Sequence, residues 1–205
     1  MGCLWRLFKF ALFLVLLAFV LKAFAGRWAM GAYLQYRLGT EVAMETLRVD
    51  FINGQARLEN VTVANPMVFP NGVMLRFSHI YLELNPAALL SGRMEFRKFE
   101  AQLEEARAVL TPGGINLYSI KPFQPRESGG NKVPLPSFYA PEINVSLGEG
   151  VLTDLRRTVP SEKVFDFRGK PAVWRDVKGL DRAVKLLIEE ITRRMELQAA
   201  PVGAA

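Results

Sequence analysis

Histidine and cysteine are almost missing from this chain, which has one of each, His79 and Cys3. Single copies exclude an intrachain disulfide and a His/Cys metal centre. A Ser-His pair would need a distant serine folded against His79, and no nucleophile-elbow motif supports one. Carboxylates are absent from the first 40 residues, which hold five cations: Arg6, Lys9, Lys22, Arg27 and Arg37. The rest of the chain has 21 cations against 20 anions, so five of the six net positive charges come from its start. A near-neutral remainder argues against nucleic acid as a partner, which calls for a basic patch on the folded domain. Arg156-Arg157 and Arg193-Arg194 are isolated pairs and read as solvated or ion-paired faces.

Other chemistry is also lacking. Glu104 and Glu105 are adjacent, so in a strand they are expected on opposite faces, unable to act as an acid/base pair. Asp154 and Asp166 stand alone near turns and read as turn formers. Gly113-Gly114 lacks a phosphate-loop context. Asn60-Val61-Thr62 and Asn144-Val145-Ser146 fit the glycosylation triplet but fall in expected strands. No catalytic residue, metal ligand or cofactor is expected.

What is present begins with an apolar start. Phe10 to Leu21 are twelve apolar residues bracketed by Lys9 and Lys22, with Trp5 and Trp28 beyond them. Twelve residues are too few to cross a bilayer, which takes about 20. Lys9 and Lys22 can snorkel, which extends the span to Leu7–Ala25. Trp5 to Trp28 then covers roughly 35 Å of helix, and Trp5, Lys9, Lys22 and Trp28 become the membrane-interface residues. The alternatives are a signal peptide cleaved after Ala23-Phe24-Ala25 and a core helix. Cations on both flanks leave the orientation open. Met1-Gly2-Cys3 resembles an acylated start, but Arg6 stands where a myristoylation signal has Ser or Thr.

After Gly39 the apolar period falls to two. Val42/Met44, Leu47/Val49/Phe51, Ala56/Leu58, Val61/Val63, Val73/Leu75/Phe77, Ile80/Leu82/Leu84, Met94/Phe96, Phe99/Ala101/Leu103 and Ala106/Ala108/Leu110 alternate with polar residues, which predicts strands. Asn53-Gly54 predicts a hairpin. Four segments each slip by one residue, at Glu45/Thr46, Glu59/Asn60, Ser78/His79 and Arg97/Lys98. A β-bulge would absorb each slip and bend one long strand; otherwise each segment is two short strands. Residues 121–136, rich in Pro and Gly, read as a linker. Strands then resume at Ile143/Val145/Leu147, a Gly148-Glu149-Gly150 turn, Val151/Leu152 and Val164/Phe165/Phe167. Leu180, Ala183, Val184, Leu187, Ile188, Ile191 and Met195 lie on one face of an amphipathic helix. Asp181–Lys185, Glu189–Arg193 and Glu190–Arg194 are i,i+4 pairs that support it. The helix either packs over the sheet or makes a second membrane or partner contact.

The expected fold is mainly β with helices: an N-terminal transmembrane helix, a curved antiparallel sheet of bulged strands and a C-terminal amphipathic helix. Residues 1–38 form the anchor and juxtamembrane helix, 39–120 the first β region, 121–136 the linker, 137–170 the continued strands, and 171–198 the helical region.

Leu38-Gly39-Thr40-Glu41-Val42, Asn53-Gly54, Asn65-Pro66-Met67-Val68-Phe69, Leu89-Leu90-Ser91-Gly92 and Gly114-Ile115-Asn116-Leu117 follow a membrane helix in that order. Residues 5–154 so resemble the N-terminal region of the AsmA-like proteins, which are anchored in the bacterial inner membrane. Phe69-Pro70 departs from that pattern, where Gly-Phe is expected, and well-known members are several times longer. The resemblance implies a single-pass inner-membrane protein with a periplasmic domain. It also implies a role in envelope and outer-membrane lipid homeostasis and kinship with chorein-type bridge proteins that carry lipids on an apolar trough. Membrane lipids are the expected partners, with a longer envelope protein or copies of this chain beside them. Leu75, Phe77, Ile80, Leu82, Leu84, Met94, Phe96, Phe99 and Leu103 are the candidate lipid contacts. A tethering module with its sheet face covered by the last helix is the alternative.

Overall fold

The computed structural model describes residues 28–50, 53–85, 87–88, 93–124, 137–156 and 158–199. The expected span, with Trp5, Lys9 and Lys22, lies outside them. Among the described residues no helix is long and apolar enough to cross a membrane.

Residues 28–38 are helical (α1). Eight strands follow: β1 Val42–Asp50, β2 Gln55–Ala64, β3 Val73–Leu84, β4 Arg93–Thr111, β5 Gly114–Ile115, β6 Ser137–Asp154, β7 Ser161–Asp166 and β8 Ala172–Lys178. The last helix, α2, spans Leu180–Ala199. All eight strands join one sheet in the order β1-β2-β3-β4-β6-β7, with β5 on β4 and β8 on β6. The sheet is mixed rather than antiparallel, because β4 and β6 run parallel, from Arg93↔Ser137 to Leu110↔Asp154. The connection leaves β4 through two 3-10 turns, Asn116–Tyr118 and Lys121–Phe123, and re-enters beside the start of β4. The β regions flanking residues 121–136 therefore share one sheet. Residues 172–178, expected in the helical region, form the whole of β8. Strands β7 and β8 lie end to end along β6, one edge strand interrupted at residues 167–171.

The slips are real, and they line up. Glu45, Asn60, Ser78, Glu104 and Gly148 are each skipped between paired neighbours, strand after strand. The pairing of β1 with β2 keeps one register across the slip, so each strand stays continuous while its side chains change parity. The result is a crease across five strands. Arg97, Pro141 and Asp176 form a second, shorter one. Asn60 (φ 51°) and Asp176 (φ 54°) are the only non-glycine residues with positive φ among the described residues, one on each crease. The left-handed conformation turns the following side chain back to the same face, and Asn and Asp tolerate it best.

Gly148-Glu149-Gly150 is not a turn but part of β6. A Cβ on Gly150 would meet the Phe167 ring at 2.3 Å. Both glycines serve close packing.

One apolar cluster fills the inner face of the sheet. It includes Leu187, Ile188, Ile191 and Met195 of α2 and Leu38 of α1, with Met30 and Leu34 packed against it. Three ties hold the helices to each other and to the second 3-10 turn. Arg37 pairs with Asp181, Lys121 Nζ donates to the Tyr36 carbonyl at 3.0 Å, and Lys185 lies over the Phe123 ring at 5.4 Å. On α2, Glu190 takes both Arg193 and Arg194.

Candidate functional site: a half-covered apolar face

The register resolves the inner face into cross-strand rows. Val42, Val63, Leu75, Ala106, Gly150 and Phe165 form one, and all are buried. Met44, Val61, Phe77, Leu103 and Leu147 form the next, also buried. Across the crease the burial falls. In the row Leu47, Leu58, Ile80, Ala101, Val145 and Ala172, Leu47 and Ile80 are half-buried. In the row Val49, Ala56, Leu82, Phe99, Ile143 and Trp174, Val49 is exposed, while Leu82, Phe99 and Trp174 are half-buried. Phe138 lies 4.9 Å from Phe96 and 6.4 Å from Phe99, ring centre to ring centre, and extends the patch.

The candidate residues therefore divide. Ile80, Leu82, Leu84 and Phe99 are half-buried, on the same apolar cluster. Leu75, Phe77, Phe96 and Leu103, expected as lipid contacts, are buried in the core instead. The side chain of Met94 lies outside the described residues. Phe138, Trp174 and Leu47 belong to the patch but were not among the candidates. Phe138 stands between Pro136 and Pro141, and Trp174 alternates with Ala172, which was the available signal. Trp28 is exposed at the start of the described part of α1.

The outer face is polar. Between β2, β3 and β4 it carries a hollow of about 750 Å³ lined by residues that include Arg57, His79, Tyr81, Glu83, Lys98 and Glu100. Arg57 and Lys98 lie 5.9 and 5.7 Å from the Tyr81 ring centre. The hydrogen bond from Lys98 to Glu100 holds the Lys98 ammonium above its ordinary pKa. His79 is exposed on this face.

The acids sit on the crease and at strand ends. Glu104 and Glu105 do not take opposite faces. Both turn away from the core, because the crease falls between buried Leu103 and Ala106. Glu105 accepts from Arg107 at 2.7 Å. Asp154 and Asp166 each accept from a backbone N–H and a guanidinium two residues on, from Arg156 and Arg168. The Arg168 hydrogen bonds lower the Asp166 pKa. Among the described residues no group of three or more His, Cys, Asp or Glu side chains is placed to hold a metal ion.

Three segments that carried the resemblance meet where β1 begins. Thr40 Oγ1 donates to the Ala64 carbonyl at 2.9 Å and lies 3.1 Å from the Asn65 carbonyl. Asn116 Nδ2 donates to Asn65 Oδ1 at 2.7 Å and to the Arg107 carbonyl at 2.9 Å. Asn116 Oδ1 accepts from the Val109 and Leu117 N–H groups. Asn116 is fully buried, and these four bonds satisfy both polar atoms of its side chain.

No protein-family model, curated protein or solved structure matches this chain.

Proposed function

We propose that this chain is an AsmA-like envelope protein. In this reading its apolar start holds it in the bacterial inner membrane, its sheet stands in the periplasm, and the half-open inner face contacts or helps transfer lipids. The observation that carries the proposal is the apolar patch of Ile80, Leu82, Leu84, Phe99, Phe138 and Trp174, which is continuous with the core yet keeps partial access to solvent. A ready-made apolar surface of this kind suits acyl chains. Its size sets a limit. Six strands abreast at about 4.8 Å make a sheet near 29 Å wide, enough to shield a lipid leaving a bilayer but too little to bridge an envelope alone. Transfer over distance would use a longer envelope protein or further copies of this chain. No catalytic step and no cofactor enters the proposal.

The test is to extract the full chain with mild detergent and analyse it by mass spectrometry. Phospholipid should accompany the protein and be lost from Leu82→Asp and Phe99→Asp variants that still fold. A lipid-free wild-type chain sinks the proposal.

The tethering reading draws on α2, whose buried Ile188 and Ile191 join the core cluster on this face. A photo-crosslinking residue at position 82 separates the two: lipid adducts favour transfer, and protein adducts favour a tether.

A further inference from the structure

The loop between β2 and β3, residues 65–72, holds Met67 and Val68 in solvent with relative exposures of 103% and 82%. Single exposed apolar residues are ordinary on a protein surface. Two neighbours on a braced loop are not. Phe69 is buried beneath them, and its N–H bonds the Pro66 carbonyl at 2.9 Å. The Asn65 N–H bonds the Gly72 carbonyl, and Asn65 Nδ2 donates to the Pro70 carbonyl at 2.8 Å. Asn65 is itself held by buried Asn116. The loop is thus fixed from below while its apolar tip points outward.

Strand direction places this tip. The start of β1, the end of β2, the start of β3, the ends of β4 and β6 and the start of β7 all lie at one end of the sheet. Residues 155–160 connect β6 to β7 at that end and carry Val159, 75% exposed. The two loops are three strand spacings apart, about 14 Å. Helix α1 reaches the same end, because a Cβ on Gly31 would sit 3.6 Å from the Val42 carbonyl oxygen. Trp28, 79% exposed, lies one turn further back, and Phe10–Leu21 precede it in the sequence.

We infer that Met67, Val68 and Val159 form a second bilayer contact, inserted into the headgroup region beside the N-terminal segment. The sheet then stands with its β1-start end on the membrane and its Asn53-Gly54 hairpin away from it. Two further apolar points to one side of the start of β1 would fix the tilt of the sheet, which one helix cannot do. The inference rests on the anchored reading of residues 1–27 and does not need lipid transfer.

The test uses the full chain with Cys3→Ser, and a cysteine introduced as Met67→Cys, Val68→Cys or Lys178→Cys, the last at the opposite end of the sheet. Each is labelled with an environment-sensitive fluorophore. The protein is reconstituted into phosphatidylethanolamine/phosphatidylglycerol vesicles containing a phospholipid with a nitroxide near its headgroup. Labels at 67 and 68 should shift to the blue and be quenched, while the label at 178 stays in water. Flotation with the vesicles and labels at 67 and 68 in water, or quenching at 178 instead, overturns this inference alone. Failure of the unlabelled chain to float overturns the anchored reading, and this inference with it.

Discussion

Gly148 packs so tightly against Glu104 that a Cβ on it would lie 2.3 Å from the Glu104 carbonyl oxygen and 3.0 Å from its carbonyl carbon. The contact is backbone on backbone, between the two parallel strands, where the crease crosses from β4 to β6. A flexible side chain could swing aside, but a carbonyl in a strand ladder cannot. The crease therefore depends on a missing side chain at this position.

Gly148→Ala should cost about 3 kcal/mol or more, at the upper end of overpacking penalties, because nothing flexible can yield. Urea unfolding should show a lower midpoint with an unchanged slope. A midpoint equal to wild type would mean that the crease tolerates a Cβ.

Gly150→Ala offers a contrast. Its Cβ would meet the Phe167 ring at 2.3 Å and Met195 Cε at 2.9 Å, both the ends of side chains. A cost of about 2 kcal/mol is expected, and Phe167→Leu in the same chain should recover part of it. A double-mutant cycle with no coupling would remove the proposed contact.

Glu190 predicts an acid limb in the stability profile. Burial raises its pKa, but hydrogen bonds from Arg193 and Arg194 outweigh that and hold it below its ordinary 4.5. A carboxylate depressed in the folded state adds stability above its unfolded pKa, and loses it as pH falls through the folded value. Glu190→Gln should therefore lower stability at neutral pH by about 1 kcal/mol and converge with wild type at an acid pH below the ordinary glutamate value. Denaturation curves at both pH values check the sign.

Much of this architecture can be read from residue spacing, and the parts that cannot have physical causes. The period of two located β1 to β3, Asn53-Gly54 located their first hairpin, and the 3.6 period located α2. Three of the four slips lie on the long crease, at Glu45, Asn60 and Ser78. The fourth, at Arg97, belongs to the short one. The crossing of β4 at Glu104 was hidden because two slips in one 19-residue strand resemble a break. Strand β8 was missed for a similar reason: Asp176 interrupts its alternation after Trp174. The parallel pairing of β4 and β6 leaves no local trace, since a strand with one face in solvent alternates whichever way its neighbour runs. In the candidate site, alternation identified the inward-facing residues. It could not tell which of them the helices cover, because coverage is set by contacts distant in sequence.

Asn116 is the polar counterpart of the glycine contacts. Asn116→Asp would set a carboxylate oxygen against the Asn65 side-chain oxygen and the Arg107 carbonyl, both of which now accept from Nδ2. A cost of about 3 kcal/mol is expected, and it should loosen residues 65–72 before the rest of the sheet. Hydrogen exchange at the Phe69 amide should rise more than at the Leu58 amide. Equal changes would show that Asn116 braces the whole domain rather than this loop.

Leu75 and Leu82 lie on the same strand and the same face, on opposite sides of the crease, which makes them a controlled pair. Leu75 is buried in a row that ends at Phe165, and Leu82 is half-buried in a row that ends at Trp174. An unpaired carboxylate at position 75 has no route to water, so Leu75→Asp should cost more than about 4 kcal/mol and leave no folded protein to assay. At position 82 the same carboxylate keeps partial hydration. Leu82→Asp should cost about 2 kcal/mol or less and leave the fold intact by circular dichroism. If the patch is a lipid surface, that folded variant should lose bound phospholipid, because a charge at its centre is incompatible with acyl chains. Unfolding of Leu82→Asp would instead place residue 82 in the sealed core and favour the tether.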